Sequence, residues 1–369
     1  MKVLCVFGTR PEAIKMAPVV TELKEHAGFD CKVCVSAQHR AMLDDVLELF
    51  DITPDYDLDV MKEDQSPGQV TARVLAQLQG VLQTERPRWT LVQGDTVTTM
   101  AAAMASFFER ISIGHVEAGL RTGDKWQPFP EEITRRATAL VTDLHFAPTE
   151  RARENLLREG VAAADALVTG NTVIDALLDI TSRPYDERGT VLEGILNTGR
   201  RLITLTSHRR ESFGEPLLNT CRAVAHIAQA YRDDVHIVYP VHPNPNVIGP
   251  VTEHLGGIPN VSLIEPLDYK TLAHLMKHSY LILTDSGGIQ EEAPSLKVPV
   301  LVLREVTERP EAVEAGVARL VGTDPDLIVS VAERLLDDPE AHAAMTTDKN
   351  PYGDGLARKR IAAALEERR

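Results

Sequence analysis

Three carboxylates in this chain have the type and setting to move protons at one carbon: Asp95 in Gly94-Asp95-Thr96, Glu117 in GHVEAGLRTGD (114–124) and Glu131 in PEEITRR (130–136). Acids gathered at one crevice suit general acid and base work on a neutral sugar, because burial and mutual repulsion push their pKa values apart. Each also has an ordinary explanation. Asp95 fits a helix N-cap, and Glu131 after Pro130 fits the positive end of a helix. The ordinary account is poorest for Glu117, because a Glu that closes a buried strand needs a partner.

Anion binders accompany the acids. Arg10 follows Gly8-Thr9 at a strand-to-helix turn and Lys15 sits about one turn further on, so both are candidates to meet a diphosphate. Ser286-Gly287-Gly288 offers backbone N–H groups at a second such turn, with Glu292 one turn on as an acceptor for ribose hydroxyls. Asp285 before it reads equally well as a cap. His208-Arg209-Arg210 and Arg309 repeat the basic pattern in the second half of the chain. No G-x-G-x-x-G opens a βα unit, no G-x-x-x-x-G-K-[ST] occurs, and the histidines show no H-E-x-x-H spacing. Neither NAD, ATP nor a metal is therefore expected, and the expected cofactor is none.

These residues need elements to hold them, and seven segments end alike, an apolar β-type run stopping on Gly, His, Asp, Glu or Ser before a turn or helix. They are 3–12, 90–96, 111–124, 202–212, 236–245, 281–292 and 298–311. In an open parallel sheet, ligands sit outside the carboxyl ends of the strands, so polar residues repeated there predict one site. Three of the seven precede residue 130 and four follow residue 200, which predicts an α/β chain of two doubly wound domains with the chemistry in the cleft between them. Apolar spacing of three to four predicts helices over 11–27, 40–50, 67–84, 97–110 and 129–142. The expected domains are 1–167 with 354–369, the last helix returning to the first domain after NPYGDG (350–355), and 168–353.

At 369 residues the chain suits two such domains. A net charge of −15, from 39 basic and 54 acidic residues, argues against nucleic acid or an anionic membrane as partner. The opening MKVLCVFGTR reads directly as a strand rather than a signal segment, so a cytoplasmic location is expected. Cys5, Cys31, Cys34 and Cys221 lie in apolar runs and read as reduced core thiols. Cys31 and Cys34 would point to opposite faces of a strand, which disfavours a redox or metal pair.

Taken in order, FGTRPEAIKMAPV, QGDTVTTMAAAMASF, GHVEAGLRTGD with PFPEEITRR, FAPTE, VTGNTVIDAL, TSHRRES, YPVHPNPNV, LTDSGGIQEEAPSL, VTERPEAVEAG and NPYGDG resemble the non-hydrolysing UDP-N-acetylglucosamine 2-epimerases over essentially the whole chain. The resemblance implies a GT-B-like pair of Rossmann-type domains, a homodimer, and interconversion of UDP-GlcNAc and UDP-ManNAc through UDP elimination, without NAD or metal. Carried over by motif, Asp95, Glu117, Glu131 and His208 are the implied catalytic residues. Arg10, Lys15, Arg135, His242, Ser286, Gly287, Gly288, Glu292 and Arg309 are the implied substrate binders. Departures from the pattern are Gln93 where His is common, Pro243 where Leu is usual, and Glu305-Val306 where Asp-Thr is usual. Many bacterial members bind a second, activating UDP-GlcNAc through a Gln-His-Arg-(Gln or Glu) segment and a later basic residue. Here those stretches read Gln38-His39-Arg40-Ala41 and Met61-Lys62-Glu63-Asp64, so Gln38 and His39 are a remnant and turnover without activator is expected. A GT-B glycosyltransferase and a non-catalytic sugar-nucleotide binder are the alternatives; the extra acids weigh against the first, and the intact acids and phosphate binders against the second.

Overall fold

The computed structural model describes residues 1–36, 40–61, 65–209, 212–347 and 350–368. Gln38 and His39, residues 62–64, and Arg210 lie outside them. Two compact units result, Met1–Ala176 with Tyr352–Arg369 and Leu177–Pro351. The division falls inside the helix Thr172–Ser182, later than the expected 167/168, because the strand Ala166–Val168 closes the first sheet and the turn after it is tied by Asn171 N–H to the Tyr352 carbonyl at 2.6 Å.

The first unit holds β1 (Lys2–Phe7), β2 (Asp30–Val35), β3 (Tyr56–Asp57), β4 (Trp89–Gln93), β5 (Ser112–Val116), β6 (Leu144–Ala147) and β7 (Ala166–Val168), all parallel, in the order β3-β2-β1-β4-β5-β6-β7. Five of the six residues of β1 are buried, the run Val3 to Phe7, as a strand covered by helices on both faces requires. The second unit repeats the plan with β8 (Arg201–Thr206), β9 (Val235–Pro240), β10 (Val261–Ile264), β11 (Ser279–Thr284), β12 (Val300–Val302) and β13 (Ala318–Leu320), in the order β10-β9-β8-β11-β12-β13. In each sheet the chain moves outward over three strands, then returns to the other side of the first. The loops leaving the two central strands diverge there and open a crevice at their carboxyl ends. That point lies between β1 and β4 in one unit and between β8 and β11 in the other.

All seven expected strand ends are observed, and the five expected helices are Arg10–Glu25, Arg40–Leu49, Pro67–Glu85, Val97–Phe108 and Glu131–Val141. Thr9 and Ser66 start the first and third through capping boxes, each with Pro in the first turn. The helix Ala357–Glu367 belongs to the first unit, where Asp175 accepts the N–H groups of Ala357 and Arg358 at 3.2 and 3.0 Å. The four cysteines are buried and free, and burial pushes the Cys34 thiol up to about 12. Among the described residues no helix is long and apolar enough to cross a membrane.

Three buried groups of the first unit have large displacements that make its stability respond to pH. His115 and His145 face each other across β5 and β6, and burial lowers each from 6.5 to about 4. Burial raises Asp175 from 3.8 to about 6. Between pH 6.5 and 4 the unfolded chain protonates its histidines while the folded chain does not, so their contribution is lost as pH falls. Asp175 has the opposite sign, because the folded form takes up its proton first. Displacements of this size are worth about 3 kcal/mol each, so the two histidines lose more on going from pH 6.5 to 4 than Asp175 gains, and Glu12, also raised by burial, adds to the gain. Urea midpoints measured across that window should fall, and His145→Gln should flatten the slope; a midpoint that rises on acidification would contradict the assignment.

Candidate active site

The turn after β1 is built around a close approach. A Cβ on Gly8 would sit 1.9 Å from Ser36 Oγ, so any side chain there would displace Ser36. Thr9 caps the following helix, and Glu12, its capping-box partner, is 2 % exposed. Glu12 Oε2 accepts the N–H groups of Gly8 and Thr9 at 2.9 and 2.7 Å, and Oε1 accepts the hydroxyls of Thr96 and Thr99 at 2.7 and 3.0 Å. Burial raises the Glu12 pKa, and these hydrogen bonds oppose the rise. Arg10, half-buried, opens the helix. Lys15, a candidate diphosphate binder from the sequence, has its ammonium 2.6 Å from Glu117 Oε1, an acid 102 positions away.

Glu117 follows β5 with φ +64, a left-handed backbone that costs a non-glycine residue about 1–2 kcal/mol. The side chain is held in return. Besides Lys15, Gln93 Nε2 donates to Oε2 at 2.5 Å and Asn171 Nδ2 to Oε1 at 3.1 Å. Two residues earlier, His115 Nε2 donates to the Gly94 carbonyl at 2.7 Å, fixing the turn in which Gly94 takes φ +73. Asp95 follows, and it is not the helix cap: Thr96 fills that position, and Asp95 Oδ2 receives Arg135 Nε at 2.9 Å and Nη2 at 2.6 Å. Arg135 is thus bound to an acid, the position the resemblance assigns to substrate. Of the adjacent pair Glu131 and Glu132, the second is buried and accepts the N–H groups of Thr122 and Gly123 at 3.0 and 3.3 Å. Glu131 Oε2 is a buried oxygen with no hydrogen-bond partner among the described residues.

In the second unit Asp285, at the end of β11, is completely buried. Its Oδ2 accepts the N–H groups of His208 and Arg209 at 2.9 Å each and the hydroxyls of Ser207 and Ser212 at 3.2 and 3.1 Å. Its Oδ1 lies 3.3 Å from His208 Nδ1. The cap reading of Asp285 is therefore replaced by a different one: it organises the turn after β8. The His208 ring is nearly parallel to that of His242, with centroids 6.3 Å apart, and His242 Nδ1 accepts the Asn244 N–H at 3.2 Å. Next to Asp285, Ser286 donates its N–H to Thr284 Oγ1 at 2.9 Å, and Gly288 is exposed. The guanidinium groups of Arg209 and Arg309 flank Gly287, their nearest atoms 3.7 and 3.9 Å from where its Cβ would be. Arg309 Nε is bonded to Glu291, and Tyr269 donates its hydroxyl to Glu292 Oε2 at 3.1 Å.

The structure pairs Asp95 with Arg135 and Glu117 with Lys15, while Arg10 opens the helix after β1 and Glu131 the helix Glu131–Val141; in the second unit His208, His242, Ser286, Gly287, Gly288, Glu292 and Arg309 follow the carboxyl ends of β8, β9, β11 and β12. Glu12, Glu132 and Asn171 were not marked in the sequence, where Asp285 read as a cap and Gln93 only as a departure from the family pattern. A signal for Glu12 was present, since Thr9-x-x-Glu12 is a capping-box spacing.

Comparison with known proteins gives a consistent result. The sequence model of the UDP-N-acetylglucosamine 2-epimerase family matches residues 21–366. A UDP-N-acetylglucosamine 2-epimerase of Escherichia coli K12 is 53 % identical over 374 residues, covering 100 % of this chain and 99 % of that one. The crystal structure of the Neisseria meningitidis enzyme bound to UDP-GlcNAc is 46 % identical, with a TM-score of 0.88 and 100 % of both chains covered. That of the Methanocaldococcus jannaschii enzyme in complex with UDP-GlcNAc and UDP is 34 % identical, with a TM-score of 0.79 and the same coverage.

Proposed function

We propose a mechanism from the premise that this chain belongs to the UDP-N-acetylglucosamine 2-epimerase family and epimerises UDP-GlcNAc at C2. The C2 hydrogen is not adjacent to a carbonyl and is too weakly acidic to leave alone. It becomes acidic as the C1–O bond to UDP breaks. One carboxylate removes H2, the C1–O electron pair leaves with UDP, and 2-acetamidoglucal forms. UDP oxygen then adds back to C1 while a second group delivers a proton to the opposite face of C2, giving UDP-ManNAc. Two faces need two proton carriers.

The observation that carries this reading is the unequal dressing of the three acids. Glu117 is held by Lys15, Gln93 and Asn171, and Asp95 by Arg135, so both are fixed in direction. Glu131 Oε2 has free capacity to take a proton. In the second unit Arg209 and Arg309 beside Gly287 fit the charge that grows on the departing diphosphate, with His208 next to them and Glu292 for the ribose. In the first unit Arg10, at the turn after β1, is read as a substrate binder. We read the active assembly as a homodimer, and the exposed Phe107, Phe108 and Leu140 of the first unit support it.

Turnover in deuterium oxide tests the chemistry. Product should carry solvent deuterium at C2, and some UDP and 2-acetamidoglucal should escape. Product that keeps its original C2 hydrogen would rule out elimination and re-addition.

A further inference from the structure

Glu12 makes more bonds than a cap requires. A capping box needs its Glu to reach back to the N-cap N–H. Here a single carboxylate also grips Thr96 and Thr99, which open the helix after β4. The Thr99 hydroxyl lies 2.6 Å from the Gln93 carbonyl, so the end of β4 is included in the same cluster. One turn carries Arg10 and leads to Lys15; the other carries Gln93 and Asp95. Lys15 and Gln93 both hold Glu117, one on each oxygen.

We propose that Glu12 is a positioning residue for epimerisation: it ties the β1 turn to the β4 turn across the point where strand order reverses, and so sets the spacing of Lys15, Gln93 and Asp95 around Glu117. The proposal rests on the reading that Asp95 and Glu117 handle the protons. The N–H groups of Gly8 and Thr9 and the Thr96 hydroxyl reach Glu12 as donors, and the Thr99 hydroxyl shares its single proton between Glu12 Oε1 and the Gln93 carbonyl. Glutamine at this place keeps one oxygen on the two N–H groups, and its amide faces hydroxyls that can rotate to accept. Alanine leaves both turns untied.

Steady-state kinetics on Glu12→Ala, Glu12→Gln, Thr99→Val and Asp95→Asn tests this. Since a misplacement of about 1 Å costs about 10²-fold in rate, Glu12→Ala should lower kcat about 10²-fold while KM for UDP-GlcNAc changes less than about threefold. Glu12→Gln should restore kcat to within about fivefold of the parent. Thr99→Val removes one grip without altering side-chain volume and should lower kcat about tenfold, which carries the test if Glu12→Ala does not fold. Folded Glu12→Ala, or Thr99→Val, at parental kcat while Asp95→Asn is inactive would overturn the positioning role alone. Asp95→Asn at parental kcat would overturn the proton-handling reading, and the proposal with it.

Discussion

Glu117→Gln should lower kcat by about 10²- to 10⁴-fold, the range for loss of a general acid or base, while UDP binds within about threefold of its parental affinity. The amide cannot take a proton from C2 and cannot hold the Lys15 ammonium as an anion does, so both the base and the local charge balance are lost. UDP affinity should survive because the arginines flanking Gly287 are in the other unit. Kinetics with calorimetric titration of UDP separates the two effects. A variant that keeps more than about a tenth of parental kcat would show that Glu117 is a structural partner of Lys15 and not a proton carrier.

Asp285→Ala should cost about 3–5 kcal/mol of stability in the second unit, the scale for removing one member of a buried charged network. The deletion strands the buried hydroxyls of Ser207 and Ser212 and the N–H groups of His208 and Arg209, and takes away the carboxylate beside His208. Asp285→Asn should cost less, because one amide oxygen still accepts the N–H groups of His208 and Arg209. Urea unfolding followed by circular dichroism gives the loss. If Asp285→Ala costs under about 1 kcal/mol, the turn after β8 is held by other means.

Much of the fold could be read from the sequence because its signals are local. A strand buried on both faces is a continuous apolar run, and a polar residue that ends it marks the carboxyl edge, so Asp95, Glu117, His208 and Ser286 could be found without knowing the strand order. Pairings between distant positions carry no such signal. Lys15 meets Glu117 across 102 positions and Glu12 meets Thr96 across 84, so a reading by neighbours did not find the acid beside Lys15 and did not mark Glu12 at all. Asp285 shows the same limit: beside a Gly-Gly turn its local role is a cap, and only the return of β11 to the side of β8 brings the His208 turn onto it. Glu131 and Glu132 differ by one position, and helix phase alone, set where Pro130 starts the helix, decides which is turned inward.

The left-handed backbone at Glu117 bears on how this chain can change. Glycine would take φ +64 without strain, and it would also remove the acid. At this residue relief of the strained backbone and loss of the three contacts to the carboxylate pull in opposite directions, so a lineage freed from the need to epimerise gains little steadiness by giving up the acid.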